Sequence, residues 1–534
     1  MANVSPRRGA DPPTGSAPRG HQGLLGAALQ GEALVLTVES PPLVGTRPLE
    51  EVVADVVRLA RWVQQDGRIA TFTVSDRVRT DQDHDAVEVA RRAMDATGLV
   101  PLVHWAGKGR TEPVLRRDLE RAASSGLSAF LLLTGDALRQ PPPAGPARYV
   151  DAVDAIRIAR RAFPEFYLAA AVNPFKYREE ALLGQYIKAA KKLRAGADVL
   201  MAQIGWDPRK VREVVEFFRA RGLRVPVLAS VWLLGPRAAT LLLGGSRLPG
   251  VFVPPDLLAC LRSELDAPAL ARRRAIHRAA LQVVGARLLG LAGAHLCGVH
   301  TPRTLEELLD AVGRVSESCR DVSAWEGAWA EVMRHPDGRP VALAPQDAFY
   351  LGVEPLQPAA ASAGEIRRFR LLQAIDRWLF DPASPVSRIA GAALRGVDSQ
   401  GPAARLLTRA EGAVKGRWLG CQLCGHCRLP HTFFVCPETC PKGLANGPCG
   451  GTDGNACEFG DRECIYARIY RLAKHSGQQE TWEATWVPPV PEAARGTCSW
   501  VHHYRGEGSR AEALPPFDAV CQPSGDATMR GAAT

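Results

Sequence analysis

Eight of the 13 cysteines crowd into one short stretch, at Cys421, Cys424, Cys427, Cys436, Cys440, Cys449, Cys457 and Cys464, while Cys260, Cys297, Cys319, Cys498 and Cys521 stand singly. Thiolates held two residues apart on a turn can meet at one soft metal, so the run CQLCGHC and the two later Cys–Pro pairs read as metal ligands. A disulfide framework would more often spread through a short secreted chain. Zinc would take four Cys, or mix in His426 or His431. A [4Fe–4S] cluster is suggested by CxxCxxC with a later Cys–Pro, although the gap from Cys427 to Cys436 is longer than in ferredoxins. Both metals stay open.

A second set of reactive residues ends short β-rich runs. Glu39 closes TVESPP, where two prolines stop the strand and stiffen the turn. A carboxylate fixed there is partly desolvated and suited to give a proton. Asp136 closes LLLTGD after Gly135, which lets a ligand approach the backbone; the competing reading is a helix N-cap. Gln203, in MAQIGW, offers a donor and an acceptor together, as a heterocycle edge requires, or is a satisfied core amide. Thr73, His104, Asn173 and His300 complete the strand-end set. The chain has nine Lys against 57 Arg, yet Lys188, Lys191 and Lys192 stand together on one helix side. They could contact a phosphate, but spacing alone favours a solvated face.

The elements that must carry these residues alternate. Eight apolar β-rich runs, beginning near residues 33, 69, 100, 128, 166, 198, 225 and 294, are separated by segments of helical period. No GxGxxG turn follows an early strand, so a dinucleotide-binding open sheet gives way to a (β/α)8 TIM barrel, whose active site lies at the C-terminal strand ends. The domain reading is a disordered leader over 1–28, the α/β barrel over 29–315 and a helical connector over 316–416. A small cysteine-rich metal-binding domain follows over 417–510, with a flexible tail over 511–534. At +10 the net charge is mild and diffuse, and no His–x3–5–His finger accompanies the cysteines, so nucleic acid is not an expected partner. The opening residues lack a signal-peptide core, and the longest apolar stretch is broken by Arg287 and His295, so no membrane span is expected and the reducing cytoplasm is the default compartment.

In this order, TVESPP, VHWAGKGRT, LLLTGD, KKLRAGADVLMAQ and GVHTPRTLEEL resemble the methylenetetrahydrofolate reductase family of flavin-dependent barrels, over about residues 33–308. The cysteine module, with CPKGLANGPCGGT and GTCSW, resembles the cysteine-rich C-terminal domain found with such reductases, over about 400–510. The resemblance implies reduction of 5,10-methylenetetrahydrofolate to 5-methyltetrahydrofolate in one-carbon and methionine metabolism. Glu39 would be the general acid, Asp136 would tune the flavin and bind folate, and Gln203 would help to hold the pterin or the nicotinamide. Thr73, His104, Gly135, Asp136 and Asn173 would line FAD, or FMN in its place, with Lys188, Lys191 and Lys192 near its phosphates. Expected partners are methylenetetrahydrofolate and either NAD(P)H or a ferredoxin-like donor, with homo-oligomer formation left open. Where the family commonly has Pro–Glu and a nearby His–Pro, this chain reads Asn173, Pro174, Phe175, which leaves the flavin form and the donor open. The alternatives are a non-catalytic scaffold or electron-transfer partner, and a flavin-free folate methyltransferase or demethylase.

Overall fold

The computed structural model describes residues 34–78, 80–139, 148–245 and 248–519, so the leader and most of the expected tail lie outside the described residues. Eight parallel strands close into a barrel in sequence order: β1 (Val35–Glu39), β2 (Thr71–Val74), β3 (Leu102–Ala106), β4 (Ala129–Leu133), β5 (Tyr167–Val172), β6 (Val199–Ile204), β7 (Val227–Trp232) and β8 (Gly293–Cys297). Each lies within one of the runs expected from the sequence, give or take a residue at β8. β1 pairs with β8 from Val35 opposite Gly293 to Val38 opposite Leu296, which closes the ring.

The period-2 alternation of the strands makes two cores. Outward residues such as Val38, Phe72, Phe130 and Leu200 pack under the helices, whereas Val35, Leu102, Leu131, Ala169, Val199, Met201 and Leu228 form a separate cluster inside the barrel. Fully burying each of these larger side chains contributes roughly 1.5–3 kcal/mol. Above the inner apolar plug, the inward positions of β8, β1, β2 and β3 turn polar, and that change of chemistry positions the site.

The expected connector is not a mere linker at its start. Its helix Val322–Val332 packs on the helix Pro268–Leu288, where the Trp325 indole lies over Gly285 and donates to the Leu281 carbonyl at 2.7 Å. A β-carbon at Gly285 would come within 2.2 Å of that ring, so only glycine permits the approach.

The helix Glu179–Arg194 departs most from its sequence pattern. It is polar on several sides yet buried almost all round, because the helix Ile465–His475 of the cysteine module packs against its outer face. Ile187 thereby joins the module's core with Phe433, Leu444, Tyr466, Tyr470 and Trp482. At the other end of the module, Thr485 and Trp486 pair antiparallel with Ala513 and Glu512, so the first residues of the expected tail are held in a small sheet.

Candidate functional site

Glu39 ends β1 half-buried at the barrel mouth. Its Oε1 accepts from the Ser75 hydroxyl at 3.1 Å, and its Oε2 lies 3.4 Å from the Gly298 amide beyond β8. The Ser75 oxygen is also 3.2 Å from His104 Nδ1. If the serine proton goes to Glu39, His104 must carry its own proton on Nδ1, leaving Nε2 as an acceptor. That Nε2 is buried without a partner, as are Thr73 Oγ1 and His300 Nδ1. Buried polar atoms are nearly always paired, so three orphans at one mouth mark where a polar ligand edge would sit.

One layer below, His295 Nδ1 meets the Thr37 hydroxyl at 2.9 Å, and its ring lies 6.1 Å from that of His104. Burial pushes His104 down to about 3, helped by His295, and burial alone pushes His295 down to about 4. Both rings are therefore neutral at physiological pH and serve as hydrogen-bonding groups. Because the folded value of His295 lies below the usual 6.5, the unfolded chain takes up that proton first as pH falls. The stability tied to neutral His295 is complete above about pH 6.5 and is lost toward about pH 4, roughly 2 kcal/mol of it by pH 5. Urea unfolding at the two ends of that window should show a smaller acid loss in His295→Asn than in the parent chain.

The other expected residues sit on the opposite arc. Gln203 is half-buried on β6, where a register irregularity between Met201 and Ile204 disturbs the pairing with β7. It lines a cavity of about 30 Å³ with Phe175, Trp206, Gln282, Trp325 and Trp329. Asp136 lies at the rim beyond β4, its side chain reaching solvent; the surrounding protein and then the Glu458 carboxylate raise its pKa. It is not the N-cap of the next helix, a role taken by Asp151, whose side chain accepts from the Val153 amide. Gly135 has φ +84° and its carbonyl accepts from Lys442 at 2.8 Å.

The lysine trio and Asn173 are committed to partners within the chain. Lys188 is buried, paired with Asp151 at 3.1 Å and donating to the Gly447 carbonyl at 3.0 Å. Lys192 donates to the Ala171 carbonyl at 2.6 Å, and Lys191 lies under the Trp482 ring without a hydrogen-bond partner. Burial pushes both Lys191 and Lys192 down to about 7. Asn173 donates to the carbonyls of Gly250 and Gly450. The solvated face that spacing favours is thus buried, and the anion beside Lys188 is Asp151. The orphaned Thr73 and His104 atoms do suit a polar ring edge.

In the module the eight cysteines are free thiols that divide by position. Cys421, Cys424, Cys427 and Cys436 line one pocket, with Lys415 and Glu411 at its wall; Cys440, Cys449, Cys457 and Cys464 line another. Neither pocket is lined by His426 or His431. Among the described residues no group of three or more Cys, His, Asp or Glu side chains is gathered closely enough to hold a metal ion as it stands. The chemistry of the donor sets nevertheless suits a soft metal. The Leu423 amide lies 3.4 Å from Cys421 Sγ, the Gly451 amide 3.5 Å from Cys449 Sγ, and Lys415 Nζ 3.6 Å from Cys427 Sγ, all donors that stabilise thiolates. Without a metal, burial pushes Cys436 and Cys464 up to about 12.

Fold and site together define a (β/α)8 barrel with a carboxylate-bearing mouth, joined to a module of two four-cysteine pockets. Residues 33–313 match methylenetetrahydrofolate reductase and residues 403–491 match the methylene-tetrahydrofolate reductase C terminal domain. The chain belongs to the methylenetetrahydrofolate reductase family. No curated protein matches it. Among solved structures, an uncharacterized protein from Clostridium thermocellum, described as binding two copies of 5-methyl-5,6,7,8-tetrahydrofolic acid, is 12% identical. The match covers 55% of this chain and 99% of that one, with a TM-score of 0.42. No helix among the described residues is long and apolar enough to cross a membrane.

Proposed function

We propose that the chain is an oxidoreductase that converts 5,10-methylenetetrahydrofolate to 5-methyltetrahydrofolate, with Glu39 as the proton donor. The observation that carries this reading is the mouth itself: a carboxylate oriented by Ser75 and Gly298, beside the unpartnered Thr73 and His104 atoms. Protonated Glu39 gives its proton to N10 of the substrate as the N10–methylene bond breaks. The electrons of that bond stay on N10, and a 5-iminium cation remains. A hydride added to the iminium carbon completes the methyl group, and solvent returns the proton to Glu39. His104 and His295, both neutral, orient the ring without competing for that proton. A reduced flavin is the hydride donor that the family resemblance implies, and its polar ring edge is compatible with Thr73 and His104.

Metal binding is part of the proposal. The Cys421 and Cys440 groups would each take a soft metal centre through four thiolates, zinc or [4Fe–4S], and in the iron–sulfur case would bring electrons to the barrel from a ferredoxin-like donor. A second reading, an electron-transfer partner whose own barrel is inactive, draws support from the internally paired lysines. The test is direct. Full-length protein purified without oxygen is assayed with reduced methyl viologen as donor and methylenetetrahydrofolate as substrate. Formation of 5-methyltetrahydrofolate over many turnovers is the expected result, and none in the presence of intact metal centres would leave the second reading.

A further inference from the structure

The segment 442–458 of the cysteine module is docked beyond the ends of β4 and β5 and on the helix Glu179–Arg194. Lys442 bonds to the Gly135 carbonyl and pairs with Glu458 at 2.5 Å, and Glu458 in turn accepts from the Ala137 amide at 2.6 Å. Asn446 spans the module and the barrel, reaching Asp154 on one side and both backbone groups of Val487 on the other. Lys188 donates to Gly447, Asn173 to Gly450 and Lys176 to Thr452. Gly447 has φ +133°, and a β-carbon there would lie 2.8 Å from the Lys188 side chain, so the loop lies flush on that lysine. Of the three lysines that the resemblance places near a flavin's phosphates, Lys188 holds this segment.

We infer that segment 442–458 occupies the sector of the barrel mouth that would otherwise take the phosphate-bearing half of a flavin, and that Lys188 on Gly447 and Lys191 under Trp482 hold the module instead of FAD. Charge agrees with the contacts. An incoming diphosphate would have to displace the Gly447 and Thr452 carbonyls, and the Lys188 and Lys442 ammoniums it would meet are already paired with Asp151 and Glu458. Lys188 is already neutralised by Asp151, and burial pushes Lys191 and Lys192 down to about 7, which weakens the charge they carry near neutral pH. The inference concerns the cofactor seat alone and stands apart from the identity of the folate reaction.

Two measurements on the full chain test it. Flavin released by heating the anaerobically purified protein is quantified, and amide hydrogen exchange is followed with and without saturating FAD. The expected result is FAD far below one per chain and no FAD-dependent protection of the peptides spanning 179–194 and 442–458. Gly447→Ala should raise exchange in both segments about tenfold or more, as the loop lifts from Lys188. Stoichiometric FAD that is lost on Lys192→Met with the fold retained, or FAD protection of either segment, would overturn the inference. Should Gly447→Ala fail to fold, the flavin content and exchange of the parent chain still decide. The viologen-driven folate assay is run with free riboflavin added, which carries the flavin ring without the phosphates, so its failure and the failure of this inference are separable.

Discussion

Glu39→Gln is expected to fold and to slow methylenetetrahydrofolate reduction by about 10²- to 10⁴-fold, the range associated with removing a general acid. The amide keeps the shape of the carboxyl, and its oxygen can still accept from Ser75. It has no transferable proton for N10, so ring opening loses its assistance while the neighbouring Thr73 and His104 atoms stay in place. Affinity for 5-methyltetrahydrofolate, measured by calorimetry, should therefore change far less than the turnover number. Turnover near that of the parent chain would remove Glu39 from the chemistry.

The second large effect is on stability. Lys188→Ala leaves the buried Asp151 carboxylate with its N-cap bond to Val153 but no cation, and leaves the Gly447 carbonyl without its donor. Removing one partner of a buried ion pair costs about 3–5 kcal/mol. Denaturant unfolding should show a lower midpoint for Lys188→Ala, and Lys188→Arg should recover part of the loss. A change below about 1 kcal/mol would mean that Lys188 faces solvent, contrary to the packing.

The barrel was legible because its strands are short, β-rich and inwardly apolar at the base, and because each ends in Gly, Pro or a polar residue. Glu39 was legible for the same reason. Ser75 was missed, although it lies two residues beyond Thr73 and so in the same inward phase; counting by two past the strand end would have found it. His295 was seen only as an interruption of an apolar run, and its place inside β8 makes it a partner of Thr37. The lysine trio stood out correctly in an Arg-rich chain. Its partner could not be read, because Gly447 lies 259 residues from Lys188 and helical spacing carries no trace of what docks on a helix from outside. The division of the cysteines into two fours follows chain order, but only the pockets reveal that the turn Pro437–Thr439 separates them.

The helix Glu179–Arg194, clothed on one side by β5 and the helix Ala152–Ala162 and on the other by the module, gives the chain a property that its two-part sequence hides. A barrel cut out at residue 313 would present Ile187, Lys191 and the Asp151–Lys188 pair to water without the residues that now cover them. What looks like a fusion of two portable parts shares one buried seam: neither half carries a finished surface there, and evolution could trade or reassort them only by rewriting both sides of that seam together.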